Sequence, residues 1–218
     1  MTVETRIAKF LALALWLLLA GSVVAQDALR GTFFKDADAS RAQAEAANAE
    51  LLSPSNYQDG LKDYEAAESG LQRGRNIEYV RDKAAEATDH FRKAAETART
   101  AGTVLAQVMK SRQDAANARA PELSRDLWDR AQREFGAAIR FVERGDLRNA
   151  QNKNIEATAL YRDAELVAIK DQYLSQTRQL LADADRARVE RYAPVTLSRA
   201  KKLLADAEHE LTANRYDT

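Results

Sequence analysis

The chain has 218 residues, with 33 basic and 33 acidic side chains, so its formal net charge is zero. This balance gives no electrostatic basis for nucleic acid or anionic lipid as the main partner. Cysteine is absent, and the two histidines, His90 and His209, lie far apart, which excludes disulfides and argues against a zinc site. The high charge, few Gly and Pro, and lack of alternating strand patterns predict an all-α protein.

The N-terminus, "MTVETRIAKFLALALWLLLAGSVVAQDALR", has the three parts of a secretory signal. Basic residues precede an apolar run from Phe10 to Ala20, which is shorter than the roughly 20 residues of a membrane-spanning helix. Val23 and Ala25 are small residues at the positions that a signal peptidase reads. We therefore predict that residues 1–25 are cleaved after Ala25 and that the protein is exported. An uncleaved N-terminal anchor is the alternative.

The mature chain contains an internal repeat. After a segment, residues 26–53, with one predicted helix from Asp36 to Leu52, three stretches align on their turn residues. They are Tyr57 to Asn76, Leu127 to Leu147 and Leu197 to Tyr216, preceded by Pro54, Pro121 and Pro194. Proline at the start and Gly or Asn at the end predict a helix of about 20 residues in each. In this alignment Leu127 takes the position of Tyr57.

Each of the first two short helices leads into a longer one, and together they form a repeat of about 70 residues. The first long helix has an apolar stripe with alternating steps of three and four positions: Ile77, Val80, Ala84, Ala87, Phe91, Ala94, Ala98, Ala101, Leu105 and Val108. The second repeats Leu160, Val167, Leu174 and Leu181, but Asp171 and Arg178 interrupt the companion row. We expect the second helix to be partly exposed or bent near Asp171.

These patterns predict an elongated antiparallel bundle, or a solenoid, of short-helix/long-helix hairpins with coiled-coil-like packing. The predicted divisions are hairpin repeat 1 at residues 54–120, repeat 2 at 121–193 and an incomplete repeat 3 at 194–218. With Asn214 as its turn, the third repeat lacks a long helix, and we interpret it as truncated. Its short helix is expected to fray or to pack on another surface.

No catalytic, cofactor-binding or metal-binding residue is predicted, and no cofactor or small-molecule substrate. The acidic residues alternate with Lys and Arg as on solvated helix faces; examples are Glu65, Glu68, Asp82 and Glu86. A surface ion pair explains Glu86 and His90, which are one helical turn apart. Aromatic residues at helical spacings favour inter-helix packing over a peptide or glycan groove: Tyr57, Tyr64, Trp128, Phe135, Phe141 and Tyr161. Trp128 is the candidate exception, because Leu127 already matches Tyr57.

The stretch "YAPVTLSRAKKLLADAEHELTANRYD" resembles the Ala-rich helical-hairpin repeats of domain-of-unknown-function family 4398, found in Gram-negative envelope proteins. The matching residues are Tyr192, Ala193, Pro194, Leu197, Ala200, Leu204, Ala207, Asn214, Tyr216 and Asp217. "APELSRDLWDRAQREFGAAIRFVERGDLRNA" is a looser copy, with about one helical turn inserted before Leu127. "LLSPSNYQDGLKDYEAAESGLQRGRNIE" is similar to the segment that precedes such repeats.

Members of that family often end in an OmpA-like domain that binds peptidoglycan, and no strand-rich segment of that kind is present in these 218 residues. The resemblance therefore implies the helical region of an envelope protein, which would reach the cell wall only through a further domain. It also implies a periplasmic location in a Gram-negative bacterium.

Three functions follow as hypotheses. The first is a non-enzymatic periplasmic spacer or scaffold, with a protein partner or self-association through exposed helix faces. The second is a tetratricopeptide-like repeat adaptor for a peptide or protein, although a unit of about 70 residues departs from the 34-residue repeat of that family. The third, a hydrolase acting on wall or glycan, has the least support, and no nucleic-acid partner is expected.

Overall fold

The computed structural model describes residues 29–213, so the predicted signal peptide and the turn at Asn214 lie outside the described residues. Within this range the chain is helical and contains no strand, which confirms the all-α prediction. After a helical stretch at residues 29–33, the elements are α1 (Lys35–Ala46), α2 (Ala49–Leu52), α3 (Pro54–Gln72), α4 (Ile77–Val104), α5 (Ala106–Asn117), α6 (Ala120–Leu123), α7 (Arg125–Glu143), α8 (Leu147–Arg186), a 3-10 helix (Val189–Arg191) and α9 (Pro194–Ala213).

The described residues divide into two compact units, the first ending at Ala101 and the second beginning at Gly102. In the first unit α1 packs against α2 and α3. In the second unit α8 is the central element, because α5, α6, α7 and α9 all pack against it. No helix within residues 29–213 has both the length and the apolar character to cross a membrane.

The same turn occurs three times along the chain. Asn48, Arg119 and Arg188 all adopt the left-handed conformation, with φ of 57°, 63° and 56°, and each is followed by one short helical turn. This turn also separates α1 from α2, where the sequence predicted a single helix from Asp36 to Leu52. The interval from Asn48 to Arg119 is only two positions longer than that from Arg119 to Arg188, so the predicted repeat length recurs in the fold.

The short helices α3 and α7 have 19 residues each and α9 has 20, as predicted. Gly74 and Gly145 follow α3 and α7 with positive φ, and the next residue donates its N–H to a carbonyl five positions back, which is a Schellman motif. Pro54 and Pro194 begin α3 and α9. Pro121 lies instead in α6, where the first-turn N–H that it lacks would have no helical partner.

The predicted match between Leu127 and Tyr57 is wrong by one position. The N–H of Tyr57 donates to the carbonyl of Ser53, and the N–H of Trp128 donates to that of Ser124, so both aromatic side chains stand four positions after a helix N-cap. Tyr57 and Trp128 are also equally far from the glycine that ends their helix. No extra helical turn is inserted before Leu127, and Trp128 is the equivalent of Tyr57.

The first long helix is interrupted at Leu105, which has φ of −103° and ψ of 11° and separates α4 from α5. Leu105 is itself fully buried. The predicted stripe from Val80 to Val108 is buried throughout, whereas its first member, Ile77, is 47% exposed because it stands at the start of α4.

The second long helix, α8, is a single α-helix of 40 residues without interruption near Asp171. The predicted leucine row is not its buried stripe, since Val167 is 42% exposed and Leu160, Leu174 and Leu181 are half-buried. The buried stripe of α8 contains Ala150, Asn154, Ala157, Tyr161, Ala164 and Ala168. Most of these side chains are small and allow close helix approach. After Ala168, no residue of α8 is fully buried, which agrees with the predicted partial exposure.

Candidate functional site

The first hairpin, α3 with α4, closes around one aromatic ring. The ring centroid of Phe91 lies 5.6 Å from that of Tyr57 and 6.4 Å from that of Tyr64. Between these tyrosines, Gly60 provides space for the ring, since a Cβ atom at Gly60 would lie 2.7 Å from Cδ1 of Phe91. The long helix thus places its one fully buried aromatic side chain against the short helix at Gly60.

The second hairpin, α7 with α8, repeats this arrangement with Tyr161 in place of Phe91. The rings of Tyr161 and Trp128 meet edge to face at 5.2 Å. The Tyr161 hydroxyl donates to Oε1 of Gln132 at 2.7 Å, and burial raises the pKa of Tyr161. Trp128 is half-buried in this contact, so the interpretation of Trp128 as an exposed groove residue is wrong.

The equivalent surface of α9 is only partly covered. When the repeats are aligned on Arg119 and Arg188, the residues of α9 that match Trp128, Ala131 and Phe135 of α7 are Leu197, Ala200 and Leu204. Ala131 and Phe135 are buried beneath α8, whereas Ala200 and Leu204 are half-exposed and only Leu197 is buried. Among the described residues, no third long helix lies over α9 as α8 lies over α7.

The C-terminal half of α8 shows the same difference. In this alignment Leu180 matches Ser111 of α5, and these side chains are 62% and 3% exposed, respectively. Leu203 on α9 is 61% exposed. We refer to the following apolar residues of the two helices together as the α8–α9 face: Leu174, Leu180, Leu197, Ala200, Leu203, Leu204, Ala207 and Leu211.

Helix α9 is nevertheless formed and attached to α8, rather than frayed. Nη2 of Arg178 lies 2.7 Å from Oε1 of Glu208, and Nζ of Lys201 lies 2.7 Å from Oδ1 of Asp185. Lys170 donates to the hydroxyl of Thr212 at 2.8 Å. These polar contacts are partly exposed and therefore orient α9 more than they stabilise it.

A lysine from each long helix is paired with a carboxylate of the preceding short helix. Nζ of Lys83 lies 3.0 Å from Oδ1 of Asp63. In the second hairpin, Nζ of Lys153 lies 2.8 Å from Oε2 of Glu134. The lysines also pair with Glu86 and Glu156 on their own helices.

The neighbouring carboxylates raise the pKa values of both lysines. The pKa of Lys83 is raised by Glu86 and then by Asp63, and that of Lys153 by Glu134 and then by Glu156. The third repeat departs from this pattern, because Leu203 occupies the position of Glu134.

The carboxylates considered for acid–base chemistry lie on solvated faces. Glu65 and Asp82 are exposed, and Glu68 pairs with Arg30 at 3.1 Å. The predicted pair between Glu86 and His90 is wrong, since Nε2 of His90 lies 3.5 Å from Oδ2 of Asp63 and Glu86 pairs with Lys83. Residues 29–213 contain no group of three side chains arranged to hold a metal ion.

Sequence reasoning did not identify Leu203 or Leu180 as members of a site. The signal was available, because the acidic residues Asp63 and Glu134 occupy one repeat position that is leucine in the third copy. Matching Leu127 to Tyr57 aligns Asp63 with Arg133 instead of Glu134, so the shared acidic position was not visible. Comparisons of this chain with protein-family models, with curated proteins and with solved structures found no match.

Proposed function

We propose that this protein is a non-enzymatic structural or scaffold protein of a bacterial cell envelope. The observation that carries the proposal is the α8–α9 face. Two hairpins bury their aromatic residues beneath a long helix, whereas the equivalent positions Ala200 and Leu204 on α9 are half-exposed. Such an arrangement supports a role in holding a helical partner.

The described contacts favour a mechanical role for the hairpins over a chemical one. The seams of α4 and α8 are built mainly from alanine, so neighbouring helices approach closely and pack over their whole buried length. Acidic side chains at the junction of the two helices in each hairpin are engaged in ion pairs, Glu134–Lys153 and Asp63–Lys83. The location in the envelope rests on the predicted signal sequence.

Export is tested by expressing the full chain in a Gram-negative bacterium, separating the periplasmic, envelope and cytoplasmic fractions, and identifying the N-terminus by mass spectrometry. We expect the protein outside the cytoplasm with Gln26 as its first residue. An unprocessed chain in the cytoplasmic fraction would contradict the envelope assignment.

The scaffold role is tested in the same cells with a photo-crosslinking residue in place of Leu203. We expect a covalent adduct with an exported protein, mapped to a helical segment of that protein. The same residue in place of Val195, which is 80% exposed in the first turn of α9, is the matched control. Equal labelling at both positions would argue against a defined binding face.

A further inference from the structure

We propose that the α8–α9 face binds one amphipathic helix of a partner protein, with an alanine stripe, a central aromatic residue and an apolar residue in place of the paired lysine. This inference rests on the proposed scaffold function and specifies its partner. It follows from continuity with the interface between α7 and α8, which α9 and the rest of α8 extend into the third repeat.

The first two hairpins show which kind of helix covers such a face. Their covering helices match position by position when Phe91 is aligned with Tyr161. Six matched positions of the buried stripe are Val80, Ala84, Ala87, Phe91, Ala94 and Ala98 in α4, and Ala150, Asn154, Ala157, Tyr161, Ala164 and Ala168 in α8. Both stripes combine small residues with one aromatic ring, so the third face is expected to accept the same pattern.

The aromatic residue of the partner has a defined place. Phe91 lies over Gly60, and the equivalent position in the third repeat is Ala200, between Leu197 and Leu204. Leucine and alanine side chains at these positions offer apolar surface on which one ring could pack. Because Ala200 and Leu204 are half-exposed, a ring on this surface would remove apolar surface from water.

The paired lysine distinguishes the partner from the chain's own helices. Lys153 meets Glu134 at 2.8 Å, but a lysine at the same place on the third face would meet the side chain of Leu203. Placing an ammonium group against leucine loses the ion pair and desolvates the charge. The partner helix should therefore carry an apolar residue at this position.

A second folded copy of this chain does not offer such a helix among its described residues. The two stripes of this type, in α4 and in α8 up to Ala168, are already buried in their own hairpins. The described helices of a second copy therefore do not supply the occupant, which we assign to a partner protein.

The test uses the purified full-length protein and a fluorescent synthetic peptide with the sequence of residues 147–170. A second peptide carries Lys153→Leu, and binding is measured by fluorescence anisotropy. We expect the Lys153→Leu peptide to bind about tenfold more tightly than the unmodified peptide, as burial of one leucine side chain implies. A third peptide with Tyr161→Ala should lose most of the binding.

A substitution in the protein is expected to reverse the preference between the two peptides. The substitution Leu203→Glu in the protein reproduces the Glu134 environment, so the unmodified peptide should then bind more tightly than the Lys153→Leu peptide. Val195→Glu, which adds the same charge at an exposed position outside the face, should leave the original preference unchanged.

Three results would overturn the inference: equal binding of both peptides, insensitivity to Leu203→Glu, or sedimentation showing a dimer that Leu203→Glu dissociates. The last would identify a second copy as the occupant. Failure of these peptide experiments with correct export would remove this partner chemistry and leave the envelope assignment intact. Peptide binding by a chain that is not exported would support this partner chemistry and contradict the envelope assignment.

Discussion

The side-chain amide of Asn154 donates a hydrogen bond of 3.2 Å to the backbone carbonyl of Val104. Val104 is the last residue of α4, immediately before the break at Leu105, so a side chain of α8 holds a carbonyl at the point where the helix is interrupted. The other amide atom of Asn154, Oδ1, is buried without a hydrogen-bond partner. Burying Oδ1 of Asn154 without a partner costs free energy, which reduces the net stabilisation from the hydrogen bond to Val104.

Asn154→Ala tests the contribution of this bond. We expect the free energy of unfolding to fall by about 1 kcal/mol, because the lost hydrogen bond is partly offset by removal of the unpaired Oδ1. Chemical denaturation followed by circular dichroism measures the change. Asn152→Ala, an exposed substitution two positions earlier in α8, is the control and should leave stability within ~0.5 kcal/mol of the parent. Equal stability of the two variants would show that the contact contributes nothing.

Gly60 and Gly136 give opposite predictions for the same substitution. Both lie inside short helices, where replacing glycine by alanine normally stabilises by about 1 kcal/mol. At Gly60 the new Cβ would lie 2.7 Å from the Phe91 ring, whereas at Gly136 the nearest atom is Nη1 of Arg140 at 3.5 Å. We expect Gly60→Ala to destabilise by about 1–2 kcal/mol because the ring must move, and Gly136→Ala to stabilise.

Thermal unfolding of both glycine variants decides the matter. If Gly60→Ala raised the melting temperature as Gly136→Ala does, Phe91 would not be packed against Gly60. The double variant Gly60→Ala with Phe91→Leu should recover part of the loss, because the smaller side chain leaves room for the methyl group.

Arg188 is held in the left-handed conformation at φ of 56°, which costs a non-glycine residue about 1 kcal/mol. Asparagine tolerates this conformation better and occurs at the equivalent Asn48. We therefore expect Arg188→Asn to raise the free energy of unfolding by roughly 0.5 kcal/mol. Arg191→Asn is the control, since Arg191 is exposed and does not have positive φ. A loss of stability in Arg188→Asn alone would contradict the prediction.

Tyr64 predicts an alkaline dependence of stability. Its pKa is raised to about 12, first by burial and then by its hydrogen bond to Asp38. A group whose pKa is higher in the folded than in the unfolded protein stabilises fully below its unfolded pKa, near 10, and loses that contribution as the pH rises through the folded value. Tyr64→Phe should therefore lower stability at neutral pH and weaken its decline between pH ~10 and ~12.

Denaturation at pH 7 and at several pH values above 9 measures this effect. The expected loss at pH 7 is about 1 kcal/mol, the usual contribution of one hydrogen bond. Tyr173→Phe is the control, because Tyr173 is 68% exposed on α8 and should leave the curve unchanged. An identical pH profile for the Tyr64 variant and the parent would exclude Tyr64 as the titrating group.

Much of the fold could be predicted because the signals are local. The apolar stripe of the first long helix, the glycines after α3 and α7 and the helix length of about 20 residues all depend on spacing within one element. The break at Leu105 could not be read this way, since the stripe continues through it without a change of pattern. In α8, the regular spacing of Leu160, Leu174 and Leu181 predicted the wrong buried stripe, because the alanines of this helix are the residues that pack.

The site was harder to predict because it depends on comparing repeats. Half-exposure of Leu204 acquires meaning only beside burial of Phe135 at the same repeat position. That comparison requires the correct register, and a shift of one position at Leu127 turns the expected inward direction on α7 by about 100°. The role of Trp128 was misjudged for the same reason.

The break at Leu105 also shows how the chain tolerates a change of length. The interval from Phe91 to the left-handed Arg119 is one position longer than that from Tyr161 to Arg188 in the uninterrupted copy. One inserted residue turns the rest of a regular helix by about 100° and would point its apolar side outward. A local interruption absorbs that rotation, so each hairpin can gain or lose a residue without disturbing the next.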